Sequence, residues 1–98
     1  MHGPYPGAVM AQHVNRRLRK AIGQRLRELR FKAGITSQEA LAHKAGVHRT
    51  YIGRLERGES GVTVEALAAI LAAMDVSLRD FFRPFGQAVR PRTPRRRG

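Results

Sequence analysis

Apolar residues that recur every three or four positions, in short groups ended by glycine, dominate this sequence. Leu18, Ile22, Leu26 and Leu29 form the first group, with spacings of four, four and three. This period places them on one face of an α-helix, whereas a half-buried strand would alternate apolar and polar residues. No convincing alternation of that kind occurs in the chain. The sequence therefore predicts an all-α domain of short helices with short connections.

Capping residues and helix-ending residues divide this pattern into five predicted helices. The first helix runs from an N-cap at Asn15 to Gly34. The second is capped by Thr36 or Ser37 and ends at Gly46, and the third covers 49–57 and ends at Gly58. The fourth carries Val64, Leu67, Ile70, Leu71 and Met74, and the fifth, "LRDFF", is capped by Ser77 and ends at Pro84.

The two ends of the chain lack an apolar period. Residues 1–14 contain glycine, proline and small residues, which predicts a flexible N-terminal arm or a segment upstream of the functional chain. Residues 86–98, "GQAVRPRTPRRRG", contain two prolines, five arginines and no acid. They predict a disordered basic tail, which serves either as a solubilising end or for phosphate contact. One folded domain over 15–85 lies between them.

The formal net charge is +12, from 19 Lys+Arg against 7 Asp+Glu. A charge of this sign and size implies a polyanionic partner, nucleic acid first and an acidic membrane surface second. The chain has no cysteine, which excludes disulfides, zinc–thiolate sites and a thiol nucleophile. No apolar run is long enough to cross a bilayer. We expect a cytoplasmic, nucleoid-associated protein.

Residues for catalysis or metal binding are poorly placed. The four histidines, His2, His13, His43 and His48, have no spacing typical of a metal site. The acids are scattered rather than paired, and no glycine-rich loop of the phosphate-binding type occurs. We therefore predict no enzyme activity, no cofactor, no metal and no small-molecule effector.

The most specific motif is "QEALAHKAGVHRTYIGRLER", residues 38–57. Two helices that cross steeply need a small residue where they meet, and Ala42 supplies it. The tight turn between them needs a residue that tolerates positive φ, and Gly46 supplies it. Val47, Ile52 and Leu55 would then anchor the second helix to the core. This ordered set is typical of a helix-turn-helix unit.

The stretch 22–82 resembles the Cro/repressor-type, Xre-like family of helix-turn-helix regulators. The matching segments are "IGQRLRELRFKAG", "SQEALAHKAGVHRTYIGRLERGE" and "VEALAAILAAMDVSLRDFF". Within the family, the combination of "HRTYIGRLERGE" with "VTVEALAAILAAMDVSL" is most similar to controller proteins of restriction–modification systems.

This resemblance implies a docking mode, in which the second helix of the unit lies in the DNA major groove. The implied base-contacting residues are Arg49, Thr50 and Arg54. Those implied to contact phosphate or to assist are Gln38, His48, Tyr51 and Arg57. At Gln38, the N-terminal end of the preceding helix also favours an anion.

Three features depart from the family pattern. Family members usually have one residue between the Gly-Leu or Gly-Ile after the first helix and the glutamine, whereas this chain has two, Thr36 and Ser37, between Gly34-Ile35 and Gln38. Thr36 with Glu39 fits a capping box. His48 stands where Ser or Thr commonly caps the reading helix. The loop "GESGVT" contains no Lys or Arg, so we expect no minor-groove contact from it.

The resemblance also implies structural roles. Arg30 is expected to pair with Glu56 and so join the first and third helices. Dimer contacts are expected near the last helix, at Leu78, Phe81, Phe82 and Phe85, because a core this small cannot easily bury three phenylalanines. The predicted function is a sequence-specific transcription regulator that binds double-stranded DNA as a homodimer at a palindromic operator. The alternative is a non-catalytic adaptor of the same fold that binds nucleic acid non-specifically.

Overall fold

The computed structural model describes the backbone of residues 8–86 and the side chains of residues 15–86. Within this range the chain forms five α-helices and a terminal 3₁₀ turn, and no strand. The elements are α1 (Ala8–Lys32), α2 (Gln38–Ala45), α3 (Arg49–Glu56), α4 (Val64–Ala72), α5 (Leu78–Phe82) and the 3₁₀ turn Arg83–Gly86. The predicted all-α, five-helix class is confirmed. Residues 1–7 of the predicted arm and 87–98 of the predicted tail lie outside the described residues.

The predicted start of the first helix is wrong. We expected Asn15 to be its N-cap, but α1 begins at Ala8. Residues 8–14 are therefore helical and not part of an irregular arm. This segment contains alanine, methionine and glutamine, which favour a helix, and no glycine interrupts the sequence between Gly7 and Gly23. The cations Arg16, Arg17, Arg19 and Lys20 consequently lie beyond the first turn of α1, outside the range in which the helix dipole disfavours positive charge.

Hydroxyl side chains cap three of the helices. The oxygens of Ser37, Thr63 and Ser77 each accept a hydrogen bond from the backbone N–H three residues further on. Each bond satisfies a donor that the first helical turn leaves unpaired. Ser37, not Thr36, is the N-cap of α2, so the expected capping box between Thr36 and Glu39 is wrong.

The α2–α3 turn has the predicted helix-turn-helix geometry. Gly46 has φ of 73°, a left-handed conformation that glycine adopts without strain. The next residue, Val47, donates its N–H to the Ala42 carbonyl at 3.0 Å, which closes the end of α2. Ile52 and Leu55 are buried, so the inner side of α3 is anchored to the core as expected.

One continuous core joins the helices. It consists of Leu26, Leu29, Leu41, Ala42, Ile52, Leu55, Leu67, Ile70, Leu71, Met74, Phe81 and Phe85. Val64, in contrast, is exposed, although it follows the apolar spacing of α4.

The contact between α1 and α3 depends on a glycine. A Cβ added at Gly23 would lie 2.3 Å from the carbonyl oxygen of Leu55 and 2.7 Å from that of Glu56. Real Cβ atoms do not approach backbone oxygens so closely, so only glycine allows this separation. The last turn of α3 therefore rests directly on the backbone of α1, and this contact sets the position of the α2–α3 unit.

An arginine fastens α5 to α1. The Nε of Arg25 donates to the carbonyl oxygen of Phe81 at 2.9 Å, and its Nη2 donates to that of Asp80 at 2.8 Å. Carbonyls in the last turn of a helix have no partner within the helix and favour a nearby cation. This contact holds the short α5 in place and was not predicted from the sequence.

Candidate nucleic-acid interface

The solvent side of α3 is polar and basic. Arg49, Thr50 and Arg54 are exposed, while Ile52 and Leu55 face the core. At about 100° per residue, the outward positions fall within an arc of about 140°. We call this surface the α3 outer face; it consists of Arg49, Thr50, Arg54 and the C-cap residue Arg57, around the buried Gly53. The structure thus brings the three predicted base-contacting residues onto one surface.

His48 is the N-cap of α3. Its Nδ1 accepts a hydrogen bond from the backbone N–H of Thr50 at 3.2 Å. A histidine thus performs here the capping role that Ser or Thr commonly performs, and it holds Thr50 at the start of the helix.

The N-terminus of α2 approaches the middle of the α3 outer face. A Cβ at Gly53 would lie 3.1 Å from Oε1 of Gln38 and 3.2 Å from Nη1 of Arg57. The absence of a side chain at Gly53 therefore makes room for two polar groups. The Gln38 Nε2 donates to Oε1 of Glu56 at 2.9 Å, so the side chain predicted to contact phosphate has a structural partner within the protein.

A buried ion pair supports this arrangement. The Nε and Nη2 of Arg30 donate to the two carboxylate oxygens of Glu56 at 2.7 and 3.0 Å. Both side chains are nearly inaccessible, at 5% and 3% exposure. Arg30 also donates to the Ile35 carbonyl at 3.1 Å, and its guanidinium lies over the Phe31 ring. The structure contains the expected pair, and Gln38 extends it to α2.

The guanidinium of Arg57 is held by an acid. Its Nε and Nη2 donate to the two carboxylate oxygens of Glu59 at 2.9 and 3.1 Å. This hydrogen bonding, helped by the opposite charges, raises the pKa of Arg57. It likewise lowers the pKa of the Glu59 carboxyl. A phosphate that binds Arg57 must therefore compete with Glu59, so Arg57 is less available than Arg54.

An open cleft lies where α2 meets α3. It is lined by Ser37, Gln38, Glu39, Arg49, Thr50, Gly53 and Arg57. Only a loose, exposed ion pair of 3.9 Å joins Arg49 to Glu39 across it, so the Arg49 side chain is free to turn outward. Tyr51 is half-buried against the core, which leaves part of its side chain at the surface beside Thr50.

The residues predicted to form a dimer contact separate into two pairs. Phe81 and Phe85 are 0% and 5% exposed and belong to the core of a single chain. They are therefore corrected from interface to core residues; their rings stack at a centroid distance of 5.6 Å. Leu78 and Phe82, at 36% and 38% exposure, remain at the surface.

Two other classes of site are not found in the part of the chain that the structure describes. It contains no group of three or more histidines and acids positioned to hold a metal ion. None of its helices combines the length and the hydropathy that crossing a bilayer requires.

Comparison with known proteins identifies the fold. Residues 25–81 match the family HTH_3, described as helix-turn-helix. The chain belongs to the helix-turn-helix family. This confirms the resemblance seen in the sequence and places the chain among DNA-binding transcription regulators, which are not enzymes.

Two curated helix-turn-helix relatives are control proteins. The chain is 36% identical over 63 residues to "Control protein C.BamHI" from Bacillus amyloliquefaciens, which covers 64% of the chain and 78% of the relative. It is 48% identical over 42 residues to "Control protein C.SmaI" from Serratia marcescens, which covers 43% of the chain and half of the relative.

Two solved structures share the helix-turn-helix architecture. The clp gene regulator ClgR from C. glutamicum has a TM-score of 0.66 and 32% identity, and the match covers 74% of the chain and 91% of ClgR. An HTH_3 family transcriptional regulator from Vibrio cholerae has a TM-score of 0.64 and 33% identity, over 70% of the chain and 38% of that regulator.

Sequence reasoning missed several residues that position the helix-turn-helix unit. A glycine inside an amphipathic helix marks a close backbone approach, so Gly23 was a signal that could have been used. Arg25 and Glu59 gave no comparable signal, because a surface arginine or glutamate has the same appearance in a sequence whether or not it has a partner.

Proposed function

We propose that this helix-turn-helix protein is a sequence-specific transcription regulator of the controller type, which binds a palindromic DNA site as a homodimer. The α3 outer face carries the proposal. Arg49 and Thr50 stand exposed in the first turn of a helix whose other side is anchored to the core. In helix-turn-helix proteins this end of the reading helix enters the major groove. Binding to chromosomal DNA would place the protein at the nucleoid.

The chemistry of the α3 outer face suits base reading. The planar fork of arginine matches the two acceptors of guanine in the major groove, and the threonine methyl can meet the methyl of thymine. Arg49 and Arg54 would therefore select guanines, with Thr50 between them. The names of the two curated relatives support the controller type.

Replacing Arg49 by alanine is expected to weaken binding to the preferred site by about 1–3 kcal/mol and to relax the preference at one base position. The preferred site is first obtained by selection from a random DNA pool. Binding is then measured on that site and on each of its single-base variants. The loss should fall on the site with the guanine opposite Arg49 and disappear when that base is changed.

Arg79→Ala is the control, since Arg79 is exposed on α5, outside the α3 outer face. It removes the same charge and should change binding little. If Arg49→Ala weakens binding to all sequences equally, Arg49 contacts only phosphate. If it weakens none, the protein is an adaptor and the α3 outer face is a solvated surface.

An apolar patch on α5 supports the dimer. Leu78 and Phe82 are both partly exposed and lie four residues apart, on one side of the helix. Phe82 also contacts the buried Phe81 and Phe85 edge-on, so the patch rests on the core. A two-fold contact here would present two α3 helices to successive major grooves, about 34 Å apart.

The substitution Phe82→Asp is expected to weaken dimerisation by about 2 kcal/mol or more, the loss typical of a central aromatic contact. Sedimentation over a range of protein concentrations measures it. Phe31→Asp, at another exposed phenylalanine, should leave the association unchanged. A parent protein that is monomeric at micromolar concentration would remove the dimer from the proposal.

A further inference from the structure

The first half of α1 carries positive charge that reading by α3 does not use. The exposed cations there are Arg16, Arg17, Arg19 and Lys20. No acid occurs in the sequence before Glu28. Among the described side chains, none of the four cations takes part in an ion pair. Their mutual repulsion therefore has no compensation within this part of the protein.

Two of these cations lie beside the segment that follows α3, and a third lies one helical turn before them on α1. A Cβ at Gly58 would lie 2.9 Å from Cγ and 3.0 Å from Cα of Lys20. A Cβ at Gly61 would lie 3.5 Å from Nε of Arg19. Arg16 precedes Lys20 by one helical turn and so lies on the same side of α1. We call Arg16, Arg19 and Lys20 the α1 ridge.

The α1 ridge lies next to the C-terminal end of α3. Arg57, the last member of the α3 outer face, directly precedes Gly58, which packs on Lys20. The eight residues of α3 extend about 12 Å, close to the width of the major groove. The ridge lies beyond the end of this helix. Cations there would meet the phosphates at the groove's edge and not the bases within it.

The arrangement favours nucleic acid over a membrane. A helix that binds a membrane surface needs a free apolar face beside its cations. Among the described side chains around the ridge, residues 15–22, the apolar residues Leu18 and Ile22 pack against the core. Within these residues the α1 ridge is therefore a charged surface without an apolar companion, which suits a phosphate backbone.

We infer that the α1 ridge binds the phosphate backbone of the DNA flanking the groove that α3 enters. This inference rests on the proposed function. It assigns to α1 a share of the affinity, but none of the base preference, because phosphate contacts position a protein without specifying sequence.

The test compares two variants of the full chain with the same loss of charge. Arg16→Gln/Arg19→Gln/Lys20→Gln removes the ridge, and Lys32→Gln/Lys44→Gln/Arg79→Gln removes three exposed cations elsewhere; both lower the formal charge of +12 by three. Binding to the selected site, in a duplex with a full helical turn added at each end, is measured over a range of salt concentrations. For the ridge variant, the slope of the logarithm of the binding constant against the logarithm of the salt concentration should become shallower by up to about 2.7 per protomer, or about 0.9 for each lost contact. Its base preference should stay that of the parent.

Equal salt slopes for the two variants, or a ridge variant with an altered base preference, would overturn the inference. A parent protein without any base preference would overturn the proposed function instead, so the two failures are distinguishable. If the triple variant does not fold, the exposed Arg16→Gln alone decides the question. It should flatten the slope by about 0.9 per protomer, and an unchanged slope would count against the ridge.

Discussion

Glu56→Gln is expected to lower the free energy of unfolding by about 3–5 kcal/mol, the typical effect of breaking a buried ion pair by removing one partner. The substitution keeps the shape of the side chain but leaves the Arg30 guanidinium buried without its counter-ion. It also places an amide donor against the donors of Arg30 and Gln38, which now share the Glu56 carboxylate. Urea denaturation measures the loss.

Glu59→Gln is the matched control. It makes the same chemical change in a glutamate that also binds an arginine through two hydrogen bonds, but this pair is exposed. Water solvates Arg57 when its partner is lost, so we expect little change in stability. A Glu56 variant no less stable than the Glu59 variant would show that the Arg30 pair is not isolated from solvent.

A second variant tests the cause of the loss. Arg30→Met/Glu56→Leu removes both charges and fills the site with apolar side chains of similar volume. Such replacements often restore the stability of a buried pair. We expect the double variant to be more stable than Glu56→Gln, although Gln38 and the Ile35 carbonyl each lose a partner.

Gly23→Ala is expected to destabilise the fold by about 1–2 kcal/mol, although alanine is the better helix former. The gain in helix propensity is about 1 kcal/mol. The added Cβ would lie 2.3 Å from the Leu55 carbonyl oxygen, so α1 and α3 must separate, and this cost exceeds the gain. Thermal unfolding should show a midpoint lower by several degrees.

Gly53→Ala serves as the comparison for Gly23, because it makes the same substitution within α3. Its Cβ would meet only the ends of the Gln38 and Arg57 side chains, at 3.1 and 3.2 Å. Flexible side chains can move where backbone carbonyls cannot, so we expect a stability close to that of the parent. Equal effects at the two glycines would mean that the α1–α3 contact is not as close as described.

The predictions for Glu56 and Gly23 both concern the junction between α1 and α3. The Arg30–Glu56 pair links α1 to the last turn of α3, and its extension to Gln38 links that turn to α2. Gly23 sets the distance at the same junction. Variants of either kind would move the α3 outer face relative to the rest of the domain, even though neither residue belongs to that face.

Two errors of the sequence prediction have different causes. Asn15 is a good N-cap residue, yet α1 continues through it, because residues 8–14 also favour a helix and nothing in them stops one. The prediction that Phe81 and Phe85 lie at an interface rests on the small size of the core. The structure buries both, since the chain turns at Arg83–Gly86 and brings the two rings together. The first error overlooked the helix-favouring composition of residues 8–14, whereas the second overlooked a turn that the sequence did not indicate.

The sequence by itself determined the all-helical class of this protein and which side of α3 is exposed. Apolar spacing places Ile52 and Leu55 inward and Arg49, Thr50 and Arg54 outward, because helical periodicity is a local property. The tertiary structure alone decided which polar residues have partners, how closely α1 approaches α3, and that Lys20 lies beside Gly58. These contacts join residues far apart in the chain, and their geometry depends on how all the helices pack together, which no local pattern records.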